Sequence, residues 1–127
     1  MSPMSGTNDM SNARNASHST NTGNPSATEG FFAQSYAEAR AKFLAAAEAA
    51  GLDVQSHPHP LLGRDGETLA MDVARFGAAD ARSLLMVTSA CHGVEGYCGS
   101  GVQNALLADP GFHAAARQAG VAVLYVH

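Results

Sequence analysis

The apolar residues that follow residue 30 first recur with the spacing of an α-helix. Between Tyr36 and Ala50 they fall close to every third or fourth position, which places them on one side of a helix. Ser35 and Glu38 stand three residues apart at its start, the spacing of a capping box. Gly51 follows the last apolar position, where helices commonly end. The pattern predicts a helix over 36–50.

The next segment alternates apolar and polar residues, as half-buried strands do. Leu52 to Ser56 is a short stretch of this kind, and Leu69 to Val73 is a second. A turn signal, Gly-Arg-Asp-Gly at 63–66, lies between them, so we expect an antiparallel pair. Pro58 and Pro60 exclude a central ladder position soon after the first strand.

A third pattern occupies the rest of the chain. Ser83 to Thr88 is a continuous apolar run, which predicts a strand buried on both faces. Val102 begins the apolar side of a helix that ends at Asp109, a second helical piece follows over 112–119, and Val121 to Val126 is another apolar strand. Strand, helical crossover and strand predict a parallel pair with a right-handed connection. The fold class is therefore α/β.

The first 30 residues differ in composition from the remainder. Half of them are Ser, Thr or Asn, and their apolar residues follow no period. Such a segment buries too little apolar surface to offset its ordering entropy. We therefore expect a disordered tail over 1–30 and one α/β domain over 31–127. The tail lacks the apolar core of a secretory signal, which favours a cytoplasmic protein.

Composition excludes two classes of partner. The chain has 127 residues and a formal net charge of −4, and no cluster of Lys and Arg is present to displace counterions from nucleic acid. No apolar run approaches the ~18 residues of a membrane span. The two cysteines, Cys91 and Cys98, are too few for a disulfide framework, and we expect free, partly buried thiols.

The stretch TSACHGVEGYCGSG, residues 88–101, carries the candidate chemistry. It directly follows an apolar strand, and ligands gather beyond the carboxyl ends of strands in open α/β sheets. His92 and Glu95 stand at i and i+3, so both project from one side of a helical turn. Imidazole nitrogen and carboxylate oxygen are ligands of catalytic zinc. The alternative is a His and a Glu that hydrogen-bond the loop backbone.

The other histidine patterns are weaker indications of function. His57 and His59 form a His-Pro-His sequence, which we interpret as solvated or capping because no further ligand stands nearby. The oxyanion loop of an α/β-hydrolase also places His-Gly after a strand, but it requires a Gly-x-Ser-x-Gly nucleophile elbow, which is absent. Cys91 as a nucleophile with His92 as its base fails, because adjacent side chains on extended backbone point apart.

The segment SLLMVTSACHGVEGYCGSGVQNALL resembles the first metal-binding segment of the zinc carboxypeptidase superfamily, in which a strand leads into His-x-x-Glu. The likeness is closest to a domain-of-unknown-function branch that reads S-[GS]-x-H-G-x-E-G before a helix, and aspartoacylases and succinylglutamate desuccinylases are more distant relatives. The upstream stretch YAEARAKFLAAAEAAG…SHPHPLLGRDGETLAMDVARFG resembles the N-terminal part of the same branch. The resemblance runs from Ser35 to His127 and implies the N-terminal portion of a mixed-sheet α/β/α fold.

By this resemblance His92 and Glu95 are ligands of one Zn²⁺, which polarises a scissile amide carbonyl and lowers the pKa of a bound water. The substrate implied for the parent enzyme is a peptide or an N-acyl amino acid. A second histidine ligand, a substrate-binding arginine and a glutamate base belong to later segments of such proteins. We therefore expect an N-terminal fragment of a hydrolase, inactive alone. No catalytic residue is assigned within it.

Three further expectations remain open. His127 and Cys91 are the candidates for an additional zinc ligand within the chain. The alternative to a hydrolase fragment is a non-catalytic α/β remnant or interaction module in which His92 and Glu95 are structural. An unpaired sheet edge would favour association with another chain.

Overall fold

The computed structural model describes residues 27–91 and 93–127, which include a mixed α/β arrangement around one sheet. The predicted disorder of residues 1–30 falls largely outside the described residues, which begin with a turn and a short 3-10 helix. In chain order the elements are the 3-10 helix Glu29–Phe31, α1 Tyr36–Ala49, β1 Val54–Leu62, β2 Thr68–Phe76, β3 Ser83–Thr88, α2 Gly96–Ala108, α3 Pro110–Gln118 and β4 Val121–Val126.

Helix α1 begins and ends as its flanking residues predict. The Ser35 hydroxyl accepts a hydrogen bond from the Glu38 N–H at 3.2 Å, which satisfies one of the unpaired donors of the first turn. The Glu38 carboxylate accepts from the Gln34 N–H at 2.9 Å, one residue before the position of a standard capping box. Gly51 has a φ of +71°, the left-handed conformation that terminates many helices.

The predicted antiparallel pair is present, and both strands are longer than the sequence indicated. β1 continues through Pro58 and Pro60, which it tolerates because it lies at the edge of the sheet. The pairing register shifts between Pro58 and Leu62, so the ladder is irregular where the prolines stand. Gly66, with a φ of +83°, lies in the turn that joins the two strands.

The four strands of the described sheet are ordered β1-β2-β4-β3. β3 and β4 are parallel, as the βαβ interpretation predicted, and β4 pairs with β2 antiparallel. The expectation that β3 is buried on both faces is wrong. Leu84, Leu85 and Met86 are exposed, because no element of the described chain lies beside the outer edge of β3 or over its far face. Burial of an apolar strand depends on neighbouring layers as well as on its own residues.

The helices cover one face of the sheet and form the core with it. Phe43 of α1, Leu107 of α2 and Tyr125 of β4 are among its buried members. Helix α2 begins at Gly96, six residues before the apolar side predicted to start at Val102. Within residues 27–91 and 93–127, no helix combines the length and apolar character needed to cross a membrane.

Candidate metal centre

The loop between β3 and α2 lies at the carboxyl edge of two parallel strands. Its first residue, Ser89, donates its N–H to the Val126 carbonyl at 3.0 Å, which joins the start of the loop to the end of β4. α2 then begins at Gly96 and returns toward the opposite end of the sheet. This edge is where open α/β sheets commonly bind ligands.

The loop is tightly folded against the first turn of α2. Ala90 has a φ of +59°, a left-handed conformation that residues with a Cβ rarely adopt. A Cβ added at Gly96 would lie 2.9 Å from the Ala90 Cα, and one added at Gly99 would lie 2.9 Å from the Ser89 Cβ. These two glycines therefore permit close approach of the loop to its own helix. Strained backbone of this kind clusters at functional sites.

Glu95 stands at the junction of loop and helix. It occupies the position before α2 with helical angles, φ −65° and ψ −27°, and its side chain makes no capping hydrogen bond. Its carbonyl accepts from the Cys98 N–H at 3.2 Å, so the backbone already turns here. The side chain is exposed and free to meet a ligand at the sheet edge. His92, its predicted partner, lies outside the described residues.

The two cysteines differ from the expectation of partial burial. Cys91 and Cys98 are both free and exposed. Cys98 lies in the first turn of α2, its backbone N–H donates to the Glu95 carbonyl, and the residue is exposed. The expectation of free thiols is confirmed, and that of partial burial is wrong for both residues.

His127 is a buried histidine with structural partners. Its side chain has a hydrogen bond of 2.8 Å between Nε2 and the Ser100 hydroxyl, and its ring stacks on Phe43 with centroids 4.7 Å apart. Burial lowers the pKa of His127 below its ordinary value, and the nearby Asp72 carboxylate opposes that change. At neutral pH the imidazole is therefore uncharged. These contacts join β4 to α1 and α2.

A buried carboxylate adjoins His127, and the sequence patterns did not indicate it. Asp72 is fully buried and exchanges both backbone hydrogen bonds with His127, each at 2.9 Å. Arg40 contacts the two carboxylate oxygens at 2.6 and 3.1 Å, and the Ser56 hydroxyl donates to one of them. Burial favours a raised pKa for Asp72, but the hydrogen bonds from Arg40 and Ser56 outweigh it and hold the pKa below its usual range.

A buried amide also ties the two parallel strands to the helix that follows them. Gln103 of α2 donates from Nε2 to the carbonyls of Val87 and Val126, at 2.9 and 3.0 Å. It therefore satisfies acceptors at the ends of both β3 and β4. Together with the contact between Ser100 and His127, this bond fixes α2 over the strand ends. In the sequence, a polar residue among the apolar positions of a helix is the signal that could have identified Gln103.

The donor types of the loop fit zinc, but the described residues do not complete a site. Imidazole and carboxylate both bind zinc, as His92 and Glu95 would. Among residues 27–91 and 93–127, no three His, Cys, Asp or Glu side chains are grouped closely enough to hold a metal ion. His127 is engaged with Ser100, and exposed Cys91 belongs to no such group. The zinc site at His92 and Glu95 therefore stays a prediction.

Comparisons with known proteins identify the family. A search of curated proteins finds no match to the chain. A solved structure of Porphyromonas gingivalis glutaminyl cyclase aligns with a TM-score of 0.47 and 16% sequence identity, covering 78% of this chain. The alignment spans 40% of that protein's chain, so this chain corresponds to less than half of its length. The family model described as "Protein of unknown function (DUF2817)" matches residues 32–127. The chain belongs to the DUF2817 family.

Proposed function

We propose that His92 and Glu95 supply two ligands to the zinc ion of an amide or peptide hydrolase. The observation that carries this proposal is the position of Glu95. Its exposed carboxylate stands where the loop after β3 enters α2, at the carboxyl edge of two parallel strands. The strained Ala90 backbone and the close approach of Gly96 to it support a site in this loop. The resemblance to zinc carboxypeptidases supports the same pair of ligands.

Each residue has a defined role in this proposal. Zinc held by His92 and Glu95 would supply Lewis acidity for polarising an amide carbonyl. Glu95 would contribute a carboxylate at the start of α2, and His92 would contribute an imidazole three residues earlier in the sequence. Gln103 and Ser100 hold α2 against the strand ends and thereby fix the start of the helix. A peptide or N-acyl amino acid is the substrate class that the resemblance supports.

The decisive experiment is calorimetric titration of the full chain with zinc. Four-ligand structural sites gain about 10–16 kcal/mol from zinc, so two ligands should bind with a Kd weaker than about 1 μM. We expect one-to-one binding that is lost in His92→Ala and in Glu95→Ala. His59→Ala is the matched control, because this exposed histidine lies in β1 and contacts the Leu61 backbone. Binding that persists in both loop variants, or is lost equally in the control, would contradict the proposal.

Activity provides a second test. We expect zinc-loaded chain alone to release no product from N-acyl amino acids or short peptides above a zinc blank. Two ligands leave the ion weakly held, and the described residues bring no third donor to it. Turnover that is lost in Glu95→Ala but kept in His59→Ala would instead mean that the site closes within this chain.

A non-catalytic interaction module is the second candidate function. It is favoured by the absence of a three-donor group in the described part of the chain. In that case His92 and Glu95 stabilise the loop without metal. Alanine variants of both would then lower the melting temperature equally with and without zinc, and zinc would not change the melting temperature of the wild type.

A further inference from the structure

The first two turns of α2 have little intrinsic tendency to be helical. The helix opens with the sequence GYCGSG, in which three of six residues are glycine. Glycine is among the least favourable residues for a helix, because it loses the most backbone freedom on folding. This part of α2 therefore depends on contacts with its surroundings. It directly follows Glu95, the candidate zinc ligand.

The three glycines lie close to neighbours on two sides of the helix. A Cβ added at Gly96 or Gly99 would meet the preceding loop at 2.9 Å. A Cβ added at Gly101 would overlap the ring of Phe32, which precedes α1 in the chain. Because a helix turns about 100° per residue, Gly101 lies roughly opposite Gly96 and Gly99 around the axis. The loop therefore supports one side of these turns, and Phe32 supports the other.

Residues 29–33, which we call the strap, are hydrogen-bonded to both helices. Asn104 of α2 is 3% exposed, and its Nδ2 donates to the Phe31 carbonyl at 3.0 Å. Lys42 of α1 donates from Nζ to the Phe32 carbonyl. Phe32 is 37% exposed, so most of its surface is covered by its neighbours. The strap thus joins α1 to the outer side of α2.

The side of α2 that faces the sheet is held by the strand ends, through the hydrogen bonds of Gln103 and Ser100. The start of the helix lies beside these supports, and its first hydrogen bonds are of the 3-10 type. The N–H groups of Gly96, Tyr97 and Cys98 donate to the carbonyls three residues earlier, at 3.2–3.3 Å. Such turns have poorer hydrogen-bond geometry than an α-helix. The start of α2 is therefore the part that opens first when a support is lost.

We propose that the strap is a positioning segment of the candidate metal centre. Phe32, which lies against Gly101, keeps the glycine-rich start of α2 helical and thereby places the Glu95 carboxylate. Without the ring, a smaller fraction of molecules has this start formed, and the apparent Kd for zinc rises as that fraction falls. The effect on zinc rests on the function proposed above, whereas the effect on the helix does not.

Amide hydrogen exchange of the full chain without zinc tests the hold of the strap on α2. Phe32→Ala should speed the exchange of the N–H groups of Gly96, Tyr97 and Cys98 by about tenfold, because local opening controls their rate. Phe32→Tyr keeps the ring and should leave the three rates unchanged. Phe112→Ala is the matched control, because Phe112 is partly buried against the same core but lies on α3. Unchanged rates in Phe32→Ala, or an equal rise in Phe112→Ala, would overturn the proposal.

A second variant tests the contact between the ring and the helix. Gly101→Ala should lower the melting temperature of the otherwise wild-type chain, because the added Cβ meets the Phe32 ring. In the Phe32→Ala background the same change should raise the melting temperature, because alanine is a better helix former than glycine. A change of the same sign and size in both backgrounds would show that the ring does not support the helix at Gly101, which would overturn the proposal.

Calorimetric titration with zinc tests the link to the metal centre. Phe32→Ala should raise the zinc Kd about tenfold, in line with the change in exchange rate, whereas Phe32→Tyr and Phe112→Ala should bind as the wild type does. An equal Kd in wild type and Phe32→Ala would refute the positioning role, even if exchange were faster. A wild type that binds no zinc would contradict the metal centre and with it the positioning role, and faster exchange in Phe32→Ala would then show a structural role alone.

Discussion

The ion pair between Arg40 and Asp72 gives the sharpest prediction about stability. Arg40 holds the Asp72 carboxylate through Nε and a terminal nitrogen, and the Asp72 side chain is fully buried. Replacing Arg40 with Met removes the charge but keeps much of the packing. The carboxylate then stays buried with the Ser56 hydroxyl as its remaining side-chain partner. Loss of one partner from a buried pair is much more costly than loss of both.

The magnitude follows from the burial of the two partners. Breaking a buried ion pair typically costs about 3–5 kcal/mol, and we expect the lower end because the Arg40 side chain is 25% exposed. With a urea m-value of about 1.5 kcal/mol/M for a domain of this size, a loss of 3 kcal/mol lowers the urea midpoint by about 2 M. Domains have about 5–15 kcal/mol of stability, so the variant remains folded and measurable.

The assay is urea unfolding followed by circular dichroism, with two comparison variants. Arg40→Met with Asp72→Asn removes both charges and should recover most of the lost stability. Arg64→Ala breaks an exposed ion pair with Asp65 and should leave the midpoint unchanged. The reasoning would be refuted if Arg40→Met behaved like Arg64→Ala, or if the double variant were as unstable as the single one.

The pH dependence of the unfolding free energy provides a second check on the pair of Arg40 and Asp72. The pKa of Asp72 is lowered in the folded wild type, so its contribution to stability is present above the ordinary value of 3.8 and is lost as the pH falls through the folded value. Without Arg40, burial raises that pKa instead, and the carboxyl is protonated more readily in the folded state. The difference in unfolding free energy between wild type and Arg40→Met should therefore shrink as the pH is lowered toward 3.8 and below.

Three other predictions concern the helices and the buried rings. Gly96→Ala should lower the unfolding free energy, measured by calorimetry, by about 1–3 kcal/mol, because the added Cβ meets the backbone of the preceding loop. Gly30→Ala is the control and should leave the unfolding free energy unchanged, because open space surrounds Gly30. Tyr125→Phe removes the hydroxyl that is hydrogen-bonded to His113 Nε2 at 2.9 Å and should lower the unfolding free energy by about 1–2 kcal/mol. Burial raises the pKa of Tyr125 to about 12, which ultraviolet titration of the wild type should detect. Burial lowers the pKa of His127, so the contribution of this residue to the free energy of unfolding is complete above about pH 6.5 and is lost as the pH falls. The stability advantage of wild type over His127→Gln should therefore be smaller at pH 5 than at pH 7.5. A difference that does not change with pH would contradict this.

Local signals predicted the elements that depend on neighbouring residues. Ser35 and Gly51 bound α1 because a cap and a left-handed glycine act within one turn. The parallel pairing of β3 with β4 followed from two apolar strands joined by a helical crossover. These inferences need no knowledge of what lies across the sheet.

Contacts between distant residues account for most of what the sequence did not predict. Arg40 and Asp72 are 32 positions apart, and no periodicity in the chain indicates that they meet. Ser100 and His127 are separated by 27 positions, so the buried role of His127 emerged only from the packing of α2 on β4. The sequence also did not predict that Met86 is exposed. The apolar residues of a strand cannot indicate whether another element packs over them.

The position of β4 has a consequence for how the sheet folds. β4 comes after the other three strands in the chain, yet it lies between β2 and β3 and is paired with both. The hairpin of β1 and β2 can therefore form early, from local contacts, whereas β3 has no partner in the sheet until β4 has been synthesised. Non-local pairings of this kind are slow to form, and they leave unpaired strands exposed in the meantime. During synthesis on the ribosome, β3 therefore stays without its β4 partner while α2 and α3 are being made.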